Sequence, residues 1–315
     1  MNGTALLFAG QGAQTVGMGK DLAEKFPAAR ALFDRANAAL GYDLSNVCFN
    51  GPEPELTKTE NAQPAIYLVS WVAFQLLKEQ VPALSFDATA GLSLGELTAL
   101  AAAGVVGFED GLRLVRLRGR FMQEACDATQ GSMAAIIGLD EALTREVCAQ
   151  AGVEVANLNC PGQLVISGET EKINQACELA KARGAKKAVP LTVAGAYHSK
   201  LMASAQPKLQ SELDKVLFSE PSVPVISNVT ARPYNGSDEI GSRLEIAIRL
   251  VEQVTSSVRW EESMRYLLAQ GFTRFIELGP GKALSGFMKR IDRNAQVLNV
   301  ADTGSLEETV KMLAA

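Results

Sequence analysis

One histidine stands among the 315 residues of this sequence, so any imidazole chemistry must run through His198. The five cysteines, Cys48, Cys126, Cys148, Cys160 and Cys177, are odd in number and never spaced C-x-x-C. Scattered thiols with a single imidazole argue against a histidine- or thiolate-built metal site. The same pattern points to reduced thiols and a cytoplasmic setting. Positive charge is also short: 30 Lys and Arg face 35 Asp and Glu, for a net charge of −5. A phosphate backbone calls for a basic face, so nucleic acid is not the expected partner. No apolar run approaches the ~18 residues of a membrane span, so no membrane association is expected. The opening MNGTALLFAG has no basic stretch before its apolar residues and reads as a first strand, not a secretion signal. Low-complexity linkers and internal repeats are absent as well.

What remains is an ordinary apolar content of 47%, enough for one large domain or one domain with an insertion. The opening reads as a strand (Ala5–Ala9), a glycine-rich turn (Gly10–Gly19) and a helical stretch (Lys20–Leu40) broken or kinked at Pro27. A helix follows over Gln63–Glu79, then a short buried strand over Phe86–Ala90 and a helix over Leu94–Ala103. Strand, tight turn and helix in repetition predict a parallel α/β sheet.

The middle of the chain changes character. Ser132–Ile137, Val153–Asn157, Gln163–Ser167 and Lys186–Leu191 read as strands, with helices over Glu141–Gln150 and Thr170–Arg183. That order, βαββαβ, is the ferredoxin-like pattern. It predicts a small subdomain over 127–195, inserted into a larger one formed by 1–126 and 196–315. Beyond it come a helix near Leu201–Leu217, a strand over Val223–Asn228, helices over Ser242–Gln253 and Glu261–Ala269, and a strand over Phe275–Leu278.

Gly91-Leu92-Ser93-Leu94-Gly95 has the form G-x-S-x-G between a strand and a helix. A nucleophile elbow needs that form: glycines on both sides let the backbones pack while the hydroxyl projects. The helix start just beyond offers the N–H of Leu94 to an oxyanion. Ser93-x-x-Glu96 is equally a capping box, in which the serine only caps the helix. Strand and glycines favour the elbow, and the two readings are compatible.

A serine hydroxyl needs a base. If the base is an imidazole it is His198, in GAYHS, where the chain returns from the small subdomain. No Asp or Glu lies near it in sequence, so its partner comes from elsewhere or is a backbone carbonyl. The helix over Phe108–Ala125 holds Arg113, Arg116, Arg118 and Arg120. Only Arg118 has apolar neighbours at every i±3 and i±4 position: Leu114, Val115, Phe121 and Met122. A guanidinium on the core-facing stripe needs an anion. That anion is either an internal Asp or Glu or a substrate carboxylate held by the fork.

These segments together resemble the malonyl-CoA:acyl carrier protein transacylase family, over nearly the whole chain. The likeness is carried by FAGQGAQ (8–14), GLSLGE (91–96), RGRFMQEA (118–125), NCPGQLVISG (159–168), GAYHS (195–199) and ELGPGKALSG (277–286). It implies an α/β-hydrolase-like core with a parallel sheet and the ferredoxin-like subdomain. It also implies Ser93 as nucleophile, His198 as its base and Arg118 as holder of the malonyl carboxylate. Gln11 and the N–H of Leu94 would form the oxyanion hole. Gln253, in QVTSSVRW, matches the glutamine whose backbone carbonyl orients the histidine. Many members have histidine where this chain has Leu92. The base role is unaffected, and what changes is that position's part in substrate contact.

The reaction so implied is a ping-pong transfer of malonyl from malonyl-CoA, through a malonyl-serine ester, to the phosphopantetheine thiol of acyl carrier protein. It needs no metal or redox cofactor and feeds fatty acid synthesis, or alternatively a polyketide pathway. A serine hydrolase or thioesterase would use Ser93 and His198 but have no need of Arg118. GAYH lies nearer the malonyl-type G/H-A-F-H than the methylmalonyl-type Y-A-S-H of related polyketide acyltransferases. Carrier proteins are acidic, which makes Lys186, Lys187, Lys200, Lys282, Lys289 and Arg290 docking candidates. A monomer is expected.

Overall fold

A computed structural model describes residues 3–234 and 242–314. Among the described residues, nine strands form two sheets. The strands are β1 (Gly3–Phe8), β2 (Ala88–Gly91), β3 (Gly131–Ile137), β4 (Glu154–Cys160), β5 (Gln163–Glu169), β6 (Lys187–Pro190), β7 (Val225–Ile226), β8 (Phe272–Leu278) and β9 (Gln296–Val300). The larger sheet runs β7-β2-β1-β8-β9, and every pairing in it is parallel. The smaller runs β4-β5-β3-β6, and every pairing is antiparallel.

The parallel sheet is buried on both faces, which is why β1 reads as the unbroken apolar run ALLF. The period of two divides that run. Leu6 and Phe8 join the main core with Ile276 and Leu278, while Ala5 and Leu7 join a second cluster with Ala88, Ala90, Phe275 and Trp260. The main core is closed by the helix Thr59–Gln80, buried over most of its length, and by Phe108–Asp127 packed on it. Each large apolar side chain buried fully in this way contributes about 1.5–3 kcal/mol.

The antiparallel sheet obeys the same rule. Ala134, Ile136, Leu164 and Ile166 face its own helices, Glu141–Ala151 and Thr170–Ala182. Met133, Ala156 and Val165 point the other way and join the main core. Main-chain bonds stitch the seam: Val258 N–H to Ala156 O at 2.8 Å and Leu158 N–H to Val258 O at 2.9 Å. Arg290 adds bonds to Gln163 Oε1 at 2.6 Å and Pro161 O at 2.9 Å. That docking candidate is therefore part of the seam. The five lysines named with it are exposed.

Several sequence expectations change in detail. The break at Pro27 is real: one helix ends at Lys25, and the next starts with Pro27 at its first position. The helix expected from Gln63 starts four residues earlier, at Thr59. The stretch Leu201–Leu217 is a 3₁₀ turn (Lys200–Ala205) followed by a shorter helix, Gln206–Leu213. The strand expected over Val223–Asn228 keeps only Val225–Ile226, because Asn228 leaves the ladder for the site. Strand β9 and the helices Ala283–Ile291 and Thr303–Ala314 escaped the sequence reading.

Candidate active site

Strand β2 ends at Gly91, and the helix Leu94–Ala102 starts three residues later. Ser93 sits between them at φ 53°, ψ −105°. A non-glycine residue there stores about 1–3 kcal/mol of strain. The flanking glycines are sterically required. A Cβ on Gly91 would lie 1.9 Å from the Gly95 carbonyl carbon, and one on Gly95 would lie 2.2 Å from Phe8 O. Asn228 holds the strained turn from both sides. Its Oδ1 accepts the Ser93 N–H at 2.6 Å, and its Nδ2 donates to Gly91 O at 2.7 Å.

The capping box does not form. The Ser93 hydroxyl makes no cap bond, and Glu96 turns inward, fully buried. Positive φ at Ser93 aims its side chain away from the helix end and into the cleft. Glu96 instead accepts from Asn228 N–H, from Gln253 Nε2 and from the Tyr234 hydroxyl.

His198 also has positive φ, 57°, and is nearly buried. Its Nε2 lies 2.8 Å from Ser93 Oγ and its Nδ1 2.9 Å from the Gln253 carbonyl oxygen. A carbonyl only accepts, so Nδ1 carries the proton and Nε2 is left to accept one from the serine. Burial, with the Arg118 charge second, lowers the His198 pKa from 6.5 to about 4. The ring is therefore neutral near pH 7, as a base must be.

Arg118 is 1% exposed, while Arg113, Arg116 and Arg120 lie at the surface. Its Nη1 donates to Gln63 Oε1 at 2.6 Å; its Nη2 donates to Gln253 Oε1 at 2.9 Å and to Ser93 Oγ at 3.2 Å. No carboxylate of the described residues pairs with it at contact distance. Of the two anions the sequence left open, the internal one is thus absent from the first contacts of the guanidinium. Burial lowers its pKa to about 10, which leaves it charged. Its Nε has no partner.

A cavity of about 350 Å³ opens over this group, lined by Gln11, Leu92, Ser93, Met122, Tyr197 and His198 among others. The Leu94 N–H, first of its helix, has no intrahelical partner, while the Leu94 side chain is fully buried in the core. The Gln11 side chain is engaged away from the serine: its Nε2 donates to the Tyr197 hydroxyl at 3.3 Å and its Oε1 accepts from Gln63 at 3.4 Å. Asn157 and Asn159, on β4, complete the far wall. The structure therefore brings Ser93, His198, Arg118 and Gln253 into direct contact and sets Gln11, Leu92 and Leu94 around them. Sequence reasoning missed Gln63 and Asn228, and Glu96 was read only as a cap. Gln63 had a signal, as a polar residue inside an apolar helix. Asn228 had none. Among the described residues no cluster of metal-ligating side chains occurs, and no helix is long and apolar enough to cross a membrane.

A strained serine against a neutral histidine, with the open Leu94 N–H at a helix start, defines the class: an enzyme that carries acyl groups on serine. The chain belongs to the acyl transferase domain family, which matches residues 5–306. It is 45% identical to the malonyl CoA-acyl carrier protein transacylase of Bacillus subtilis (strain 168), over 99% of this chain and 98% of that protein. It is 44% identical to the enzyme of that name from Escherichia coli (strain K12), over 91% and 92%. The solved malonyl CoA-acyl carrier protein transacylase of Coxiella burnetii superposes with a TM-score of 0.94 at 36% identity, covering 100% of this chain and 98% of that one. A malonyl-transacylase solved with its type II polyketide acyl-carrier protein gives 0.93 at 38%, covering 98% and 99%.

Proposed function

We propose that this enzyme moves malonyl from malonyl-CoA to the phosphopantetheine thiol of an acyl carrier protein, in support of fatty acid synthesis. One observation carries the reading beyond acyl transfer in general. Arg118 Nη2 stands 3.2 Å from the nucleophilic oxygen, and no carboxylate of the described residues pairs with the guanidinium at contact distance. A buried fork beside the acylated atom suits an acyl group that ends in a carboxylate.

Ser93 Oγ attacks the thioester carbonyl while His198 Nε2 takes its proton. The main-chain N–H groups of Leu94 and Gln11 support the oxyanion, each donor contributing ~2.7–4 kcal/mol to such a transition state. Collapse expels the CoA thiolate, which leaves with the proton from His198. The malonyl-serine ester then waits with its carboxylate on Arg118. The carrier thiol gives its proton to His198 and attacks the ester, and Ser93 departs with that proton. No step calls for a metal or redox cofactor.

In the same reading the parallel sheet is an α/β-hydrolase-like core, residues 1–126 and 196–315. The antiparallel sheet, in spatial order β4-β5-β3-β6, is a ferredoxin-like subdomain over 127–195. The enzyme works as a cytoplasmic monomer. Intact mass after brief mixing with malonyl-CoA, then with carrier protein, tests the scheme. A malonyl adduct on Ser93 that moves to the carrier thiol supports it. An adduct lost to water instead means a hydrolase, and no adduct at all sinks the malonyl assignment. Presenting fatty acid and polyketide carriers side by side separates the two pathways.

A further inference from the structure

Behind the nucleophile lies a polar chain that the transfer scheme does not use. Glu96 is 0% exposed. A carboxylate that deep is costly unless its lone pairs are met. They are met by donors alone: Asn228 N–H at 3.0 Å and Gln253 Nε2 at 2.6 Å on one oxygen, the Tyr234 hydroxyl on the other.

The Gln253 carboxamide then has a determined orientation. Its Nε2 faces two groups that only accept, Glu96 and the Ser93 carbonyl at 3.0 Å. Its Oε1 faces Arg118 Nη2 at 2.9 Å. A half-turn of the amide would set NH₂ against the guanidinium and carbonyl against carboxylate. Both contacts are wrong, so Glu96 Oε2, which accepts from Asn228 N–H as well, leaves one orientation. Gln63 Oε1 fixes the other terminus, and Nη2 is left aimed at Ser93 Oγ.

We propose that Glu96 is a positioning residue that, through the carboxamide of Gln253, orients Arg118 and so sets selectivity for an acyl group bearing a carboxylate. The inference rests on the reading of Arg118 as the carboxylate's partner. Glutamine at 96 keeps the shape and one acceptor but loses the charge. Leucine removes the acceptors, and Gln253 Nε2 then keeps only the Ser93 carbonyl at 3.0 Å and the longer contact to Asn228 Oδ1 at 3.4 Å.

The test measures Ser93 acylation by malonyl-CoA and by acetyl-CoA, with fluorophosphonate labelling as a gauge of the elbow itself. Wild type, Glu96→Gln and Glu96→Leu are run together. In Glu96→Leu the malonyl-to-acetyl ratio falls by about tenfold or more, as for one misplaced hydrogen bond to a charged group, while labelling changes by less than about threefold. Glu96→Gln falls by about threefold. If Glu96→Leu does not fold, Glu96→Gln decides alone. An unchanged ratio overturns the proposal. So does a parallel fall of malonyl, acetyl and labelling, which marks a merely structural residue. A wild type with no malonyl adduct fails the functional reading instead, and the two failures are thereby distinct.

Discussion

Alanine in place of Arg118 removes the guanidinium that faces Ser93 Oγ at 3.2 Å. A malonyl carboxylate then enters a buried site with no cation to meet it. Losing one member of a buried, hydrogen-bonded charge pair costs about 3–5 kcal/mol, which is roughly 10²–10³-fold or more in kcat/KM for malonyl-CoA. Acetyl-CoA has no carboxylate to lose, and its kcat/KM stays level or rises. Stability should change little, because two effects oppose each other. A desolvated charge disappears, while Gln63 Oε1, Gln253 Oε1 and the Glu96 carboxylate lose their cation. Glu96 can relieve its share by taking a proton, since burial already raises its pKa to about 7 against the pull of its donors. The assay is acylation of Ser93 by each thioester, followed by intact mass at several concentrations, beside thermal unfolding. A malonyl kcat/KM within tenfold of wild type would refute the carboxylate role of Arg118. Equal losses with both thioesters would mean that the substitution had only damaged the elbow.

His198, held near pKa 4, places the acidic limb of kcat/KM close to pH 4; a limb near 6.5 in the free enzyme would contradict its burial as a neutral base. His198 and Glu96 oppose each other in stability against pH. Between pH 6.5 and 4 the unfolded chain protonates the histidine and the folded one does not, so acidification there removes up to about 3 kcal/mol. Glu96, with its folded pKa raised from 4.5 to about 7, binds its proton more tightly when folded and loses stability as pH rises through that window. Glu96→Gln deletes the second slope and should expose the first as a clear loss of urea stability from pH 6.5 to 4.5; no change in slope counts against both assignments. Asn228→Ala frees the Ser93 N–H and Gly91 O together, and is expected to cost about 2–3 kcal/mol and to slow fluorophosphonate labelling of Ser93 by tenfold or more. Labelling at the wild-type rate would show that the turn holds its strain without Asn228.

The parts of the site legible in the sequence share a property: each reports its own environment locally. Gly91 and Gly95 announce close backbone approach, and Arg118 announces burial through the apolar residues one turn away on either side. Glu96 misled for the same reason. Its spacing from Ser93 is that of a capping box, and only the positive φ of the serine cancels the cap. Asn228 and Gln63 gave less because their partners lie 135 and 55 residues away. Strand β7 lies at its expected place but is shorter than the expected Val223–Asn228, because its end at Ile226 is set by Asn228 turning toward the elbow, a contact that lies outside the strand's own pattern. Helix Ala283–Ile291 begins where Glu277, at the end of β8, accepts the N–H groups of Leu284 and Ser285. That start signal sits outside the helix itself, six residues before it.

Leu92 stands where the family resemblance leads one to expect histidine, and the geometry says what leucine does there. Its backbone N–H is taken by Phe8 O at 3.1 Å, which belongs to the turn and not to the side chain. The side chain is half-buried, lines the cavity and packs toward the cluster around Trp260. It donates nothing to Ser93 or His198, whose alignment is fixed by the Gln253 carbonyl on the far side of the imidazole. A histidine there would be partly hydrated and would leave that alignment alone. Leu92→His is therefore expected to keep kcat/KM for malonyl-CoA within about threefold at pH 7, the range of a substitution that touches no buried hydrogen bond. Its effect should appear below the ordinary histidine pKa, where a second positive charge in the cavity favours the incoming carboxylate and lowers the malonyl KM without moving the acetyl KM. A large change at pH 7, equal for both thioesters, would mean that residue 92 shapes the elbow itself and not merely the wall beside it.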